Sequence, residues 1–289
     1  MTRSDIAIKV EGATLAGWLY RPDASGPAPL VIMSHGFGAV REMALPRVAE
    51  TLAASGFAVV LYDHRSFGAS TGEPRQEANP WQQVQDMRDV VSFGRLLDDI
   101  DPTRIGLWGT SYSGGHVLVV GAVDRRVACV VSQVPLVSGL RTIQRTTPAD
   151  RLGALRADYY ADREARLRGE PPRYAPISVP GSESFAWSSV AAVGTTYRNE
   201  VTLKSWDMFS EYEPWPFIER IAPTPLLMIL ARNDVRTPVD DQLAAYATAR
   251  EPKRLVLLEG GHYGPYGPGL EDAASAARDW LAEHLRPAR

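Results

Sequence analysis

A regular alternation of short apolar runs with longer amphipathic stretches constrains the fold of this chain more than any other feature. Runs typical of buried strands occupy residues 30–33, 57–62, 104–108, 127–132, 225–231 and 254–259. Apolar residues at helical spacing occupy residues 42–56, 80–98, 112–123, 239–250 and 270–285. Because parallel strands need helical crossovers and are covered on both faces, this alternation predicts an α/β fold with one mostly parallel, doubly wound sheet. Strand-like runs at residues 6–10 and 14–20, around Glu11-Gly12, predict a hairpin before it.

The alternation stops between residues 136 and 221 and then resumes. This segment holds arginine-rich helical pieces such as residues 161–168, followed by several prolines and many aromatic residues. Its arginines alternate with acids, so we expect them to form a solvated surface. We predict that residues 136–221 form an inserted cap, and that residues 1–135 and 222–289 form the α/β core.

Composition and charge argue against several classes of function. The net charge is −3, from 31 Lys and Arg against 34 Asp and Glu, and no basic block suggests a nucleic-acid partner. The single cysteine, Cys129, cannot form an intrachain disulfide. The first residues lack the apolar region of a signal peptide, and no window approaches the roughly 18 apolar residues of a membrane span. We therefore expect a cytoplasmic protein without a membrane partner.

The motif Gly109-Thr110-Ser111-Tyr112-Ser113-Gly114, here called the elbow, lies between a predicted strand and a predicted helix. Such a turn can hold a serine in a strained conformation, with its hydroxyl exposed and its backbone at a helix N-terminus. The fifth position is Ser113, where the G-x-S-x-G pattern has glycine. Ser111 is therefore predicted to be a nucleophile, and the alternative is that it only caps the helix.

A serine hydroxyl needs a general base, and the chain contains five histidines. His262 lies in a glycine-rich loop after the last predicted strand, at the edge where open α/β sheets bind ligands. His35 and His64 also follow strands but precede the serine, and His116 and His284 fall within predicted helices. We predict that His262 is the base; the alternative is an ordinary polar loop residue.

The base needs a carboxylate that orients the imidazole and stabilises its charged form. Asp234 is the only acid in residues 232–238, which follow the predicted strand at residues 225–231. The exit of the strand at residues 127–132 offers no acid. We predict Asp234 in this role, with a helix cap or an Asx turn as the alternative.

Two backbone N–H groups are predicted to form an oxyanion hole. One belongs to Tyr112, directly after the serine, and the other to Phe37 in the loop His35-Gly36-Phe37-Gly38. For substrate binding we predict His35 and aromatic residues of the cap, namely Trp187, Trp206, Phe209, Trp215 and Phe217. The alternative for each aromatic residue is a place in the cap's own core.

With these motifs the chain resembles the α/β-hydrolase superfamily over nearly its whole length. The elbow is similar to the G-x-S-Y-x-G of Xaa-Pro dipeptidyl-peptidase-like and dienelactone-hydrolase-like groups. Residues 199–205 (NEVTLKS), 223–227 (PTPLL) and Asn233-Asp234 look like the polyketide transferase and thiohydrolase-type branch. The resemblance implies a triad of Ser111, Asp234 and His262 and an acyl-enzyme intermediate.

We therefore expect hydrolysis of a carboxylic ester or thioester of a small-molecule acyl substrate, with no metal and no organic cofactor. Acyl transfer to an alcohol or amine through the same triad is the first alternative. A catalytically silent ligand-binding protein on the same fold is the second, because fold alone does not give function. The sequence is compatible with a homodimer.

Overall fold

The computed structural model describes residues 1–23 and 26–285, and in them an eight-stranded sheet forms the centre of the molecule. The strands of the chain are β1 (Thr2–Val10), β2 (Ala13–Arg21), β3 (Ala28–Ser34), β4 (Ala58–Tyr62), β5 (Ile100–Thr110), β6 (Cys129–Gln133), β7 (Tyr174–Ala175), β8 (Val201–Thr202), β9 (Leu226–Ala231) and β10 (Lys253–Leu258). The sheet order is β1-β2-β4-β3-β5-β6-β9-β10, with β7 and β8 paired separately. The hairpin strands β1 and β2 are antiparallel, and the strands from β4 to β10 in that order are parallel. The predicted mostly parallel α/β sheet is confirmed.

Helices cover both faces of this sheet. They are α1 (Leu45–Ala54), α2 (Pro80–Arg95), α3 (Tyr112–Val123), α4 (Gly139–Thr146), α5 (Leu152–Leu167), α6 (Glu183–Ala191), α7 (Leu203–Glu211), α8 (Val239–Thr248) and α9 (Leu270–His284). In β3, Val31 and Met33 join the apolar cluster that contains α1 and α9, whereas Leu30 and Ile32 join the cluster that contains α2, α3 and α8. Successive side chains therefore fill two cores. None of the described helices is both long and apolar enough to cross a bilayer.

Helix α1 begins three residues later than the sequence predicts. The pattern indicates a start near Glu42, but Ala44 has φ 56°, which is outside the helical region, immediately before Leu45. Pro46 then occupies the first turn, where its missing N–H is not needed. The glycine predicted to end the helix, Gly56, has φ 94°, as expected of a residue just after a helix.

The segment between β6 and β9 contains α4 to α7, the β7–β8 pair and the 3₁₀ helices Ala149–Arg151 and Trp215–Arg220. Polar contacts join it to the core. Arg141 Nε donates to Asp241 Oδ1 at 2.6 Å, and the backbone N–H of Ala78 donates to Ser205 Oγ at 2.8 Å. The segment thus contacts α8 and the residues before α2, while its role as an inserted cap with boundaries at residues 135 and 222 stays a prediction.

Candidate active site

Ser111 is the single residue between β5 and α3. Its backbone has φ 55° and ψ −116°, a conformation that is costly for any residue with a Cβ. Its side chain makes no capping hydrogen bond to α3. A Cβ at Gly109 would collide with the carbonyl of Ser113, so only glycine lets the strand and helix approach this closely. The strained turn leaves the Ser111 hydroxyl available to a partner outside the helix.

Side chains from the ends of three parallel strands form one hydrogen-bonded chain. Ser111 Oγ lies 3.0 Å from His262 Nε2, and His262 Nδ1 lies 2.8 Å from Asp234 Oδ2. Ser111 follows β5, Asp234 follows β9 and His262 follows β10, and the carboxyl ends of these strands share one edge of the sheet. The structure therefore brings together the three residues predicted as nucleophile, base and carboxylate.

Hydrogen bonds from its own loop also hold the Asp234 carboxylate. Oδ1 accepts from the backbone N–H groups of Arg236 at 2.8 Å and Thr237 at 2.9 Å, and Oδ2 accepts from the Thr237 hydroxyl at 2.9 Å. Burial by itself raises the pKa of this carboxyl, but His262 and Thr237 outweigh burial and hold the pKa below its usual value. The carboxylate thus stays charged and can stabilise a protonated His262. Asp234 therefore makes the hydrogen bonds of a loop turn, the alternative role given above, and contacts His262 as well.

The loop at residues 35–38 lies directly against Ser111. A Cβ at Gly36 would lie 3.0 Å from Ser111 Cβ and 3.3 Å from its Oγ, so a larger residue would crowd the hydroxyl. Within the described residues, the backbone N–H groups of Phe37 and Tyr112 donate no hydrogen bond. The Phe37 and Tyr112 rings meet edge to face at 5.0 Å. Both predicted oxyanion donors therefore lie unpaired beside Ser111, and their role stays a prediction.

Ser113 links the elbow to that loop, a contact that the sequence analysis missed. Its hydroxyl donates to the backbone carbonyl of His35 at 2.5 Å and accepts from His64 Nε2 at 2.8 Å. Because a carbonyl can only accept, the direction of both hydrogen bonds is fixed. Both side chains are buried. In the sequence, the only indication of this contact was the serine at position 113, where the G-x-S-x-G pattern has glycine.

A cavity lined mostly by apolar and aromatic side chains opens beside the serine and histidine. One group of rings surrounds Phe37, which lies 4.7 Å from Trp206 and 5.1 Å from Phe209 between ring centres. Tyr112 stacks on Phe209 at 5.5 Å. The predicted residues Trp206 and Phe209 thus line the cavity next to the elbow.

A second group of rings lies on the histidine side of the cavity. Trp187, predicted from the sequence, stacks on Tyr263 at 4.7 Å and lies 5.4 Å from Tyr266. Tyr263 in turn packs against His262 at 5.0 Å. The sequence analysis missed both tyrosines, although Tyr263 directly follows the predicted base.

Trp215 does not line the cavity, and its predicted place there is wrong. Its backbone N–H donates to the carbonyl of Val137 at 2.9 Å, and the Arg141 guanidinium lies 5.8 Å from its ring centre. The 3₁₀ helix that carries it packs against α3. Phe217, on the same 3₁₀ helix, also lies outside the cavity. His35 does line the cavity as predicted, and burial lowers the pKa of its imidazole.

This arrangement is chemically equipped for acyl chemistry. It offers a hydroxyl in contact with a base, a carboxylate behind the base, two unpaired N–H donors and an apolar space for a substrate. In the described part of the chain, no group of three or more His, Cys, Asp or Glu residues is placed to hold a metal ion. Asp63, beside His64, is instead paired with Arg41.

Known proteins resemble this chain over most of its length. Residues 11–264 match the X-Pro dipeptidyl-peptidase (S15) family. The chain is 30% identical to polyketide transferase grgF of Penicillium sp., over 99% of this chain and 98% of that protein. It is 31% identical to thiohydrolase aneE of Aspergillus aculeatus, over 89% of this chain and 85% of that protein. The crystal structure of the α/β hydrolase GrgF from Penicillium sp. sh18 has a TM-score of 0.87 at 29% identity and covers 99% of both chains.

The family match includes every strand of the parallel sheet and the positions of Ser111, Asp234 and His262. The sheet order and the solved relative agree on the fold. The chain therefore belongs to the X-Pro dipeptidyl-peptidase (S15) family and is an α/β hydrolase.

Proposed function

We propose that this protein is a serine hydrolase that cleaves a carboxylic ester or thioester through an acyl-enzyme at Ser111. The observation that carries the proposal is the hydrogen-bonded chain from Ser111 through His262 to Asp234 at the wall of an aromatic cavity. A hydroxyl alone is a weak nucleophile, and an imidazole 3.0 Å away can take its proton as it attacks.

Acylation begins when Ser111 Oγ attacks the substrate carbonyl carbon and its proton moves to His262 Nε2. The negative charge that develops on the carbonyl oxygen is stabilised by the N–H groups of Phe37 and Tyr112. Asp234 stabilises the imidazolium through the Nδ1–H bond of 2.8 Å. The intermediate collapses when the bond to the leaving group breaks, and the imidazolium gives its proton to the departing alcohol or thiol.

Deacylation repeats these steps with water as the nucleophile. His262 takes a proton from water, whose oxygen bonds to the acyl carbon, and the same N–H groups stabilise the second oxyanion. The bond to Ser111 Oγ then breaks, the imidazolium returns the proton to the serine, and the free acid leaves. The apolar and aromatic cavity favours an acyl chain or ring as the bound group.

Acyl transfer to an alcohol or amine is the second candidate, because one relative is named a polyketide transferase and another a thiohydrolase. A transferase must hold its acceptor in attack geometry, where effective molarities reach about 10⁵–10⁸ M. It must also keep water from the acyl-enzyme. The sequence contains no nucleotide-binding loop that would hold a large acceptor. We therefore propose water as the principal acceptor.

Labelling with a fluorophosphonate probe tests the enzyme against a silent ligand-binding protein. Wild type should be labelled at Ser111, Ser111→Ala should not be labelled, and His262→Ala should be labelled far more slowly. Ser132→Ala, which removes a buried hydroxyl from β6, is the control and should be labelled like wild type. A folded wild type that resists the probe would refute the proposal.

Product analysis tests hydrolysis against transfer. The enzyme is incubated with an activated acyl ester, such as p-nitrophenyl butanoate, and with millimolar alcohols, amines or thiols. Free acid should dominate the products, with little change in the overall rate when the acceptor is added. More acylated acceptor than free acid would replace the hydrolase with the acyltransferase.

A further inference from the structure

Arg236 lies in the loop between β9 and α8, two residues after Asp234, and its side chain lines the cavity. Its backbone N–H donates to Asp234 Oδ1 at 2.8 Å, which ties the position of Arg236 to the candidate site. The backbone bond does not involve the guanidinium. Arg236 is half-buried and lines the same cavity as Tyr263 and His262.

The guanidinium of Arg236 has no carboxylate partner among the described residues. By contrast, Arg232, four residues earlier in the same loop, pairs with Glu259 at 2.8 Å. None of the described residues that line the cavity is an Asp or Glu, and Arg236 is the one Arg or Lys among them. Asp234 is buried behind the wall and bound to His262. Among the described residues that line the cavity, Arg236 is therefore the one Arg, Lys, Asp or Glu, and it forms no ion pair.

One further observation places the Arg236 charge near Tyr263, on which the carboxylates of Glu183 and Asp234 act in the opposite direction. Burial raises the pKa of the Tyr263 phenol, and the Arg236 charge acts in the opposite direction, which places it within electrostatic range of the ring. Glu183, whose charge also acts on Tyr263, forms no ion pair with Arg236 in the part of the chain that the structure describes. A guanidinium presents a planar fork of donors that matches a carboxylate or phosphate, and such charge-assisted bonds are the strong ones.

We propose that Arg236 is a specificity residue that binds an anionic group of the substrate, a carboxylate or a phosphate. This inference rests on the proposed function, since it adds a charge requirement to the ester or thioester that Ser111 attacks. The anion belongs either to the acyl part, as in a half-ester of a dicarboxylic acid, or to the leaving group, as in a coenzyme A thioester. In both cases a neutral substrate leaves the guanidinium unpaired.

Two matched substrate pairs test the proposal and locate the anion. The first pair is mono-p-nitrophenyl adipate and its methyl ester, which differ in the charge at the end of the acyl chain. The second is butanoyl-coenzyme A and butanoyl-N-acetylcysteamine, which differ in the charge of the leaving group. The readout is the ratio of kcat/KM for the charged member to that for the neutral member of each pair.

Arg236→Gln should lower one of these two ratios about 10- to 100-fold, the range expected for the loss of a hydrogen-bonded charge. Arg236→Lys should retain part of the ratio, because it keeps the charge but loses the fork. Arg236→Glu should lower the ratio further. The matched control is Arg232→Gln, which removes a paired arginine from the same loop and should leave both ratios unchanged.

The salt dependence of wild type is an independent measurement that needs no variant. The ratio that depends on Arg236 should fall between about 0.01 M and 1 M NaCl, as the Debye length shrinks from about 30 Å to about 3 Å. If Arg236→Gln leaves both ratios within twofold of wild type, or if wild type shows no salt dependence for either pair, the inference is wrong. Persistent hydrolysis by Ser111→Ala would instead overturn the proposed function, so the two failures are distinguishable.

Discussion

At the residue scale, the reactivity of Ser111 depends on two other side chains, and this dependence predicts how variants combine. Ser111→Ala and His262→Ala should each lower kcat by about 10⁴- to 10⁶-fold, and the double variant should be little worse than either. The physical reason is that a base without its nucleophile, or the reverse, has nothing to activate. Steady-state kinetics on p-nitrophenyl esters give the comparison. If the losses multiply in the double variant, His262 is not the base for Ser111.

Ser113 allows a second prediction at this scale, because it ties α3 to the loop that carries Phe37. Ser113→Ala should lower kcat about tenfold with little change in KM, since a displaced Phe37 N–H weakens an oxyanion that exists only in the transition state. It also leaves His64 Nε2 without its acceptor, which costs about 1–3 kcal/mol of stability.

The control for this prediction is Ser132→Ala. The Ser132 hydroxyl is also buried and donates to the carbonyl of Gly114 on α3 at 2.8 Å, but it does not contact the loop at residues 35–38. Its loss should lower the melting temperature and leave kcat intact. Equal kcat values for Ser113→Ala and wild type would make Ser113 a purely structural residue.

At the scale of elements, some aromatic residues of the predicted cap line the cavity and others pack outside it. Trp206 on α7 contacts Phe37 at the cavity, whereas Trp215 on the 3₁₀ helix packs beneath Arg141. Trp206→Ala should shift the preferred acyl chain toward longer or bulkier groups, because it enlarges the cavity. Trp215→Ala should lower stability by no more than about 3 kcal/mol and keep the chain-length preference. A chain-length series of p-nitrophenyl esters, with thermal unfolding of each variant, gives both measurements. A preference that changes equally in both variants would contradict this division.

The elements that the sequence could predict are those whose side chains are mostly buried. Strand β3 alternates between two cores, and α3 matches its predicted range because it is buried on all sides. Helix α5 spans sixteen residues, but the pattern indicates only residues 161–168, because few of its side chains, among them Tyr159 and Ala165, are buried. An exposed helix carries little amphipathic signal, so most of the cap was not predictable from the pattern.

The candidate site shows the same limit in another form. Strand ends and chain order were sufficient to select Ser111, Asp234 and His262, because parallel strands deliver their loops to one edge. The hydrogen bond between Ser113 and His64 joins residues that are 49 positions apart in the sequence, so no local sequence pattern specifies it. Trp215 was misplaced for a related reason, since an aromatic residue has the same appearance in sequence whether it lines a cavity or packs on α3.

At the scale of the whole molecule, three neighbouring imidazoles are buried between the sheet and its helices. The ring centre of His64 lies 5.0 Å from that of His35 and 5.6 Å from that of His116. Burial lowers the pKa of all three, that of His116 to about 3. In the unfolded chain each imidazole returns to its ordinary pKa of about 6.5. Below that value the unfolded state binds more protons than the folded state, so acid favours unfolding.

We therefore expect the free energy of unfolding to fall as the pH drops from 6.5 to 5, with His116 alone contributing about 2 kcal/mol at pH 5. Urea unfolding at each pH measures it. His116→Gln should make the slope shallower by about 1.4 kcal/mol per pH unit. Tyr212→Phe removes the hydroxyl that donates a hydrogen bond to His116 Nδ1 at 2.9 Å. This variant should lower the free energy of unfolding while keeping its slope against pH. Carboxylates with a lowered pKa, such as Asp234, lose their contribution only below about pH 4, whereas burial raises the pKa of Asp86, which acts against the histidines, so the His116→Gln comparison is what isolates His116. Stability that stays constant from pH 7 to 5, or a slope unchanged by His116→Gln, would show that the buried imidazoles do not govern the acid response.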